Sequence, residues 1–468
     1  MPLHAEHDDL TAPWAESERL VPRVLAQPVQ QFLHTEAAGG VVLLIAAVAA
    51  VAWASSPWAS SYDHLWSAEL TVGTPGVHLT ESLRHWVNDL AMALFFFVAG
   101  LEIKRELVHG DLREVRTAIL PIMCAIGGMV IPALTFLAFN AGGPGASGWG
   151  VPMATDIAFS IGVLALIGRR TPASLKVFLL TLAIVDDIGA IVVIAVFYSH
   201  GVSPLWLAVA AAIVGAIAAL SRVGVRSLAP YGVLAAALWL VTLESGVHAT
   251  IAGVILGLLT PARPLQRPGA VAEAAAERLR ARHLLDRVED EYDETSMLEV
   301  SSFTAQAVSP VDRFQRRLHP YTSFVVLPLF ALANAGVDLT PDGAGISLTT
   351  PVALGIVVGL VLGKPLGILL SALVATRFLK ASLPARAGWV DLAGVGMLAG
   401  IGFTVSLFIT QLAFAPDLQA DATIAVLAAS VLAGVAGTVL LAFRGSRPRP
   451  TEAATRSDPS SNATDTLI

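Results

Sequence analysis

Charged residues are scarce in this chain. Asp, Glu, Lys and Arg make up 14% of its 468 residues, whereas a soluble domain is usually about a quarter charged. Cys124 is the only cysteine, which excludes an intrachain disulfide. The chain also lacks Cys/His metal-ligand spacing, a phosphate-binding loop and a nucleophile motif, so the parts of an enzyme are missing. We therefore expect a protein that is not an enzyme and has no cofactor and no nucleic-acid partner.

Long apolar runs dominate the sequence instead. Hydrophobic residues make up 55% of the chain, and its mean hydropathy is +0.70. The runs are about 20 residues long, which is the length of a helix that spans a bilayer. Twelve runs are candidate membrane spans. Their centres lie near residues 45, 95, 127, 160, 186, 212, 236, 253, 328, 363, 400 and 432.

The positions of Lys and Arg orient these runs. With the N-terminus in the cytoplasm, every Lys and Arg except Arg84 and Lys364 lies in a cytoplasmic segment. This is the asymmetry that membrane proteins show in their loops. The opening residues are acidic and lack the basic n-region of a cleaved signal peptide. We expect both termini in the cytoplasm.

Polar segments divide the chain. Residues 1–30 are predicted to form a cytoplasmic N-terminal segment, 31–443 the transmembrane domain, and 444–468 a disordered cytoplasmic tail rich in Ser, Thr, Pro and Arg. Within the transmembrane domain, residues 57–83 are the longest external connection. The longest cytoplasmic loop is 262–318, and its sequence favours a solvated helix followed by a linker.

A few ionisable residues remain inside the apolar runs. They are Asp89, Glu102, Glu106, Asp156, Asp186, Asp187, His248 and Lys364. Lipid cannot solvate such groups, so each is a functional-site hypothesis by default. The alternative for any one of them is a structural ion pair between two spans. For His248 we expect a satisfied buried histidine, and for Glu102 and Glu106 the alternative is an interfacial position at the end of a span.

The stretch "TLAIVDDIGAIVVI", residues 181–194, holds two adjacent carboxylates, Asp186 and Asp187. Neighbouring helical positions point about 100° apart, so we expect one carboxylate to face a cavity and the other a neighbouring span. Close carboxylates raise each other's proton affinity, and their oxygens also suit a hard cation. The pair therefore predicts competition between H⁺ and a cation at one site.

Two stretches predict interrupted helices. In "GWGVPMATDIAFSIG", Pro152 disfavours helix just before Thr155 and Asp156. Backbone groups freed in this way are tolerated at membrane depth only where they are buried in protein or line a cavity. In "AGIGFTVSLFI", Gly400 and Gly402 suit either a second interrupted helix that crosses the first or tight helix packing.

Lys364 lies in "GLVLGKPLGILL", directly before Pro365. A buried lysine needs a carboxylate partner or must lose its proton. The acids inside the apolar runs are its candidates, and we expect Asp186 to be the partner.

Motifs in series make the chain resemble the NhaA family of bacterial sodium/proton antiporters between about residues 31 and 443. In order they are "FFFVAGLEIKREL", "PMATDIAFSIGVLALIG", "LAIVDDIGAI", "SGVHATIAGVILG", "LHPYTSFVVLPLFALANAGV", "GKPLGI" and "GIGFTVSLFI". The resemblance implies an all-α membrane protein with about twelve transmembrane helices, built from inverted repeats with two crossed discontinuous helices. It implies electrogenic exchange of cytoplasmic Na⁺, and also Li⁺, for external H⁺ across the bacterial inner membrane, in the service of pH and sodium homeostasis. The lipid bilayer is the other expected partner, and a homodimer is left open.

The resemblance also assigns roles to residues. Asp186 and Asp187 would form the cation and proton site, and so would ligate Na⁺. The residues that would balance the dipole ends of the broken helices are Thr155, Asp156 and Lys364. The residues that match the family's pH-responsive region are Glu102, Arg105, Glu106 and His319. Gln315 and Arg316 depart from the acidic and His residues of the family pattern, and the 262–318 loop is longer than expected. These departures put pH regulation in doubt, not transport.

Two other classes of protein are alternatives to a sodium/proton antiporter. An intramembrane aspartyl protease also uses paired Asp, but on separate helices and in Tyr-Asp and Gly-x-Gly-Asp settings, whereas Asp186 and Asp187 are adjacent and follow Ile184 and Val185. A passive cation channel is the other alternative. Uphill Na⁺ movement driven by a proton gradient separates an antiporter from a channel.

Overall fold

The structure is a computed structural model. It describes residues 38–74, 77–167, 172–199, 201–223, 228–264, 266–267, 269–274, 277, 307–340 and 347–444. The expected N-terminal segment, the tail after residue 444 and most of the helix expected in the 262–318 loop lie outside these residues.

Helices make up most of the described chain. The first six are α1 (Ala38–Ala54), α2 (Ala59–Ser67), α3 (Leu83–His109), α4 (Val115–Asn140), α5 (Ile157–Ile167) and α6 (Ala173–Phe197). The next three are α7 (Pro204–Val223), α8 (Leu228–Glu244) and α9 (Thr250–Leu259). Helix α10 runs through Pro310–Tyr321, Thr322–Val326 and Leu327–Asn334. The last four are α11 (Pro351–Phe378), α12 (Trp389–Ala399), α13 (Phe403–Ala413) and α14 (Pro416–Arg444).

Many of these helices are long and apolar enough to cross a bilayer. Among the described residues seven meet this test by length and composition, and up to nine if each of two bent pairs is one span. The bent pairs are α1 with α2, at 113°, and α12 with α13, at 46°. Helix α9 and most of α8 are apolar but shorter. The chain is therefore a largely helical, multi-pass membrane protein, and the exact number of twelve spans stays a prediction.

One element is not helical. Strands β1 (Glu69–Thr74) and β2 (Val77–Ser82) form an antiparallel pair whose register sets Glu69 opposite Ser82. The hydroxyls of Thr71 and Thr80 lie 2.8 Å apart across the pair. Thr and Val favour strands, and such cross-strand contacts stabilise them. The all-α expectation thus needs an exception in the 57–83 connection, where the sequence analysis expected no strands.

Glycines bring two pairs of helices into backbone contact. A Cβ on Gly253 of α9 would lie 2.1 Å from the carbonyl oxygen of Ala93 on α3, so a larger residue would force the two helices to shift. A Cβ on Gly367 of α11 would likewise lie 2.1 Å from the carbonyl oxygen of Gly127 on α4. Small residues at membrane helix interfaces allow this close approach. The second contact fixes α11, the helix that carries Lys364.

Proline explains the π-helical turns in α10 and α11. Each turn ends at a residue that precedes a proline, Leu327 before Pro328 and Lys364 before Pro365. In both, that residue donates its N–H to the carbonyl five residues back, at Thr322 and Gly359. A proline has no N–H to donate to the carbonyl four residues back. The preceding residue therefore shifts its hydrogen bond from the carbonyl four residues back to the one five residues back. The second turn lies directly before Lys364.

Candidate functional site

The first helix interruption lies at residues 154–156. A 3₁₀ helix over Ala146–Met153 ends there, and α5 begins at Ile157. Pro152 lies in the last turn of the 3₁₀ segment. This confirms the break expected near Thr155 and Asp156, and both of these side chains are buried.

The second interruption lies at residues 400–402, between α12 and α13. The two interruptions contact each other, because the N–H of Asp156 donates to the carbonyl oxygen of Ile401 at 2.7 Å. The Gly400 and Gly402 stretch is therefore a break in a helix, as one of the two sequence interpretations expected. Two segments without regular helical hydrogen bonds thus satisfy each other inside the protein, which is the condition for irregular backbone at membrane depth.

Asp156 caps two helices at once. Its Oδ1 accepts the N–H of Phe159, in the first turn of α5, at 2.9 Å. Its Oδ2 accepts the N–H of Thr404, in the first turn of α13, at 3.1 Å, and the hydroxyl of Thr404 at 2.6 Å. Helix N-termini carry unpaired N–H groups and a partial positive charge, which a carboxylate stabilises. A single negative charge therefore lies where two positive helix ends meet.

Hydroxyl groups satisfy carbonyls on the other side of each break. Ser160 of α5 donates to the carbonyl oxygen of Leu398 at 2.8 Å, near the end of α12. Ser406 of α13 donates to the carbonyl oxygen of Val151 at 2.8 Å. The sequence analysis assigned no role to Ser160 or Ser406. Their position one turn after a predicted break is the signal that could have identified them.

Lys364 and Asp186 form a buried ion pair. The distance from Lys364 Nζ to Asp186 Oδ2 is 3.0 Å, and both side chains are fully buried. This is the pairing that the sequence analysis expected. Lys364 Nζ also donates to the carbonyl oxygen of Met153, the last residue before the first break. The ammonium therefore neutralises a carboxylate and also lies at the negative end of a helical segment.

Thr155 completes the surroundings of Asp186 Oδ2. Its Oγ1 lies 2.7 Å from that oxygen and 3.0 Å from the carbonyl oxygen of Ala399. A hydroxyl has one hydrogen, so Thr155 serves one of these acceptors at a time. Asp186 Oδ1 is buried and has no hydrogen-bond partner among the described residues. One oxygen of this carboxylate therefore keeps an unused capacity to accept a hydrogen bond.

Asp187 faces a different direction from Asp186. It lies on the wall of a cavity of about 70 Å³ and is 4% exposed. One water needs roughly 10–15 Å³ of such space, so the cavity has room for several. Other polar residues on its wall are Glu102, Thr155, Asp156, His319, Thr322, Ser323 and Thr404. One carboxylate of the adjacent pair thus faces a cavity and the other a neighbouring helix, as the 100° spacing predicted.

Glu102 and His319 reach this cavity, whereas Arg105 and Glu106 are absent from its wall. Gln315 Nε2 donates to Glu102 Oε1 at 3.4 Å, and Arg105 Nη1 donates to Gln315 Oε1 at 3.3 Å. Glu106 Oε2 accepts the N–H of Asp111 at 3.1 Å, in the turn after α3. The structure thus splits the expected pH-responsive set into two cavity residues and two neighbours.

The charged first part of α10 contacts a charged residue of α3. Arg105 Nε lies 3.6 Å from Asp312 Oδ1. His319, further along the same helix, lies on the cavity wall with Glu102 and Asp187.

Two of the ionisable residues within the apolar runs, buried Asp89 and half-buried His248, lie away from this site. Asp89 Oδ2 pairs with His85 Nε2 at 2.8 Å, one turn earlier on the same helix. His248 Nε2 lies 3.0 Å from the carbonyl oxygen of Tyr198, which makes it the satisfied histidine that we expected. The structure gives neither residue a place on the cavity wall.

A multi-pass helical membrane protein that buries a charged pair between two interrupted helices has the architecture of a secondary transporter. Interrupted helices next to a buried ion site are a recurrent feature of that class.

Comparison with known proteins narrows this class to one family. The family model described as Na⁺/H⁺ antiporter 1 matches residues 30–441. The chain is 48% identical over 427 residues to the Na⁺/H⁺ antiporter NhaA 3 of Frankia alni, which covers 90% of each chain. It is 45% identical over 425 residues to the Na⁺/H⁺ antiporter NhaA of Rhodopirellula baltica, which covers 91% of this chain and 95% of the relative. The chain belongs to the Na⁺/H⁺ antiporter 1 family, which confirms the sequence resemblance and identifies a transporter rather than an enzyme.

Proposed function

We propose that this protein exchanges Na⁺, and also Li⁺, for H⁺ at the Asp186–Asp187 site. The observation that carries the proposal is the contrast between two adjacent carboxylates. Asp187 lies on a cavity wall, whereas Asp186 is bonded to Lys364 and keeps Oδ1 unpartnered. A cation that arrives through the cavity meets Asp187 first, and the unpartnered oxygen of Asp186 belongs to the preceding residue of the same helix.

The exchange itself follows from charge. Oxygen ligands suit a hard cation, and a protonated carboxyl group offers the cation one negative charge fewer. Binding of Na⁺ at Asp187 and Asp186 therefore requires that protons leave, and proton return drives Na⁺ out. Lys364 supports this cycle, because its ammonium holds Asp186 in place and its proton is close enough to be shared with that carboxylate. More than one proton can leave for each Na⁺ bound, so we propose electrogenic exchange.

The residues at the helix breaks support the site without binding the ion. Asp156 balances the two positive helix ends, Lys364 the negative end at Met153, and Thr155 links the first break to Asp186. These contacts hold the breaks at a fixed geometry. The geometry of the ion site therefore depends on groups that do not contact Na⁺.

For the whole chain we propose twelve transmembrane helices in residues 31–443, between a cytoplasmic N-terminal segment at 1–30 and a cytoplasmic tail at 444–468. The interrupted segments are Ala146–Ile167 and the pair α12 with α13. Each lies between two long uninterrupted spans, Val115–Asn140 and Ala173–Phe197 for the first and Pro351–Phe378 and Pro416–Phe443 for the second. This shared pattern supports an inverted repeat in which the two interrupted helices cross. The arrangement of Lys and Arg supports cytoplasmic termini in the bacterial inner membrane.

The Glu102 region is the candidate for pH response. Glu102 and His319 line the cavity, and Arg105 and Glu106 lie beside them, so we propose that this region adjusts access to Asp187. Gln315 cannot titrate, so Glu102 is the group in this contact whose charge changes with pH. We further propose a contribution to pH and sodium homeostasis, with the bilayer as surroundings and a homodimer as an oligomeric state to be measured.

The test is transport by purified protein in proteoliposomes. An imposed proton gradient should drive Na⁺, and separately Li⁺, against its own gradient, and a change in membrane potential should change the rate. The Asp187→Asn variant should not transport, whereas Glu244→Gln, at an exposed carboxylate at the end of α8, should behave as the unmodified protein does. Na⁺ movement that only follows its own gradient would identify a channel instead.

A further inference from the structure

An apolar groove runs between α1 and α14, and none of its lining residues is shared with the cavity at Asp187. Its volume is about 380 Å³. An engineered protein cavity of roughly 150 Å³ binds benzene, so this groove has room for a much longer apolar chain. Residues that line it are Leu44, Val48, Phe159, Phe403, Leu427 and Val431.

The groove has no charge, and its hydroxyl groups are already bonded. Ser55 Oγ donates to the carbonyl oxygen of Val337 and accepts the N–H of Leu339. Ser430 Oγ accepts the N–H of Phe403 at 3.3 Å. A polar or charged ligand would lose its hydrogen bonds to water and gain few here, which costs free energy. The occupant that matches this chemistry is a hydrocarbon chain.

The groove opens where hydrocarbon is the surrounding medium. Its two walls are helices that are candidates for membrane spans, α1 as part of a bent pair and α14 by itself. On these walls Val48 is 60% exposed and Val431 is 55% exposed. On the floor, by contrast, Phe403 is only 3% exposed. A flexible acyl chain can follow the groove from its exposed rim to its buried floor.

The floor of the groove is joined to both helix breaks. The rings of Phe159 and Phe403 lie 5.8 Å apart. Phe159 donates its N–H to Asp156, and Phe403 is the first residue of α13. An occupant of the groove therefore packs against the residues that begin both helical segments after the breaks.

We propose that this groove binds an acyl chain of a membrane phospholipid. The bound chain fills the space beside Phe159 and Phe403 and stabilises the first turns of α5 and α13. The site is separate from the carboxylate pair, so it holds whether or not the exchange reaction proposed above is correct.

The test is photolabelling of the full chain in phosphatidylcholine vesicles. A small share of the lipid carries a diazirine in its acyl chain, and adducts are mapped by mass spectrometry after illumination. We expect adducts on Phe159 or Phe403, together with general labelling of outward residues such as Leu370, which is 53% exposed on α11. The first readout is labelling of a floor that general contact with lipid does not reach.

Substitutions that fill the groove make the test specific. Val48→Trp and Val431→Trp place bulk on opposite walls, so failure of one variant to fold leaves the other. Matched controls are Ile45→Trp on α1 and Val435→Trp on α14, at exposed positions that do not line the groove. We expect the filling variants to lose the floor adducts and to keep general labelling, and the controls to keep both.

Two results would overturn the proposal. One is a floor that stays unlabelled in the unmodified protein while outward residues are labelled, which would mean that protein or another copy of the chain covers the groove. The other is floor labelling that persists in both filling variants, which would place the label outside the groove. Because the readout is labelling, a failure of ion exchange affects neither result.

Discussion

Replacing Lys364 with alanine should lower the free energy of unfolding by about 3–5 kcal/mol, the cost of breaking a buried ion pair by removing one partner. Two lost interactions account for this cost. Asp186 is fully buried, and its Oδ2 lies 3.0 Å from the ammonium of Lys364. Without that ammonium, the Thr155 hydroxyl, which Asp186 shares with another acceptor, is its remaining hydrogen-bond donor. The carbonyl of Met153 loses its donor as well. The measurement is equilibrium unfolding in mixed detergent micelles, followed by helix content.

A matched control isolates the effect of burial. Arg377 lies on the same helix, α11, but is exposed, so Arg377→Ala should change the free energy of unfolding by only about 0.5 kcal/mol or less. If Lys364→Ala unfolds at the same midpoint as Arg377→Ala, the ammonium pairs with nothing that stabilises the protein. That result would refute the reasoning for the whole buried network.

Further substitutions test the other parts of the site. Asp187→Asn should abolish Na⁺/H⁺ exchange in proteoliposomes while the protein still inserts, because an amide cannot trade a proton for a cation; normal exchange would remove Asp187 from the mechanism. Asp186→Asn should be nearly as severe in the same assay, with weak residual exchange if Lys364 carries the proton. Thr404→Val should lower the free energy of unfolding by about 1.5–3 kcal/mol, the worth of a hydrogen bond to a charged group, and an unchanged unfolding midpoint would argue against the shared cap. Gly253→Ala should cost about 1–3 kcal/mol through overpacking of α9 on α3, and a variant as stable as the unmodified chain would show that the two backbones are not in contact.

The features of the site that depend on residues close in sequence could be predicted from the sequence. Pro152 removes an N–H, so the break before Asp156 could be located from the sequence. The helical spacing of Asp186 and Asp187 required them to point apart. The partner of Lys364 could be chosen because few acids lie inside the apolar runs, and the structure places Asp186 there.

Contacts between distant spans could not be predicted in the same way. The carboxylate of Asp156 caps Thr404, which lies 248 positions later, and that bond depends on how two spans pack. Hydrophobic periodicity shows which face of a helix is apolar, but it does not give the register between two helices. The link from Gln315 to Glu102 has the same origin, because it joins residues 213 positions apart.

The most direct test of the shared site is Na⁺ titration of exchange in proteoliposomes from about pH 6 to pH 9. If Na⁺ and H⁺ compete for Asp186 and Asp187, the apparent KM for Na⁺ should fall about tenfold per pH unit for each proton displaced, until the site has lost its protons. The maximal rate at saturating Na⁺ should change much less over the same range. A KM that stays constant while the maximal rate rises steeply with pH would contradict a shared site and would indicate a separate switch that changes the number of active transporters.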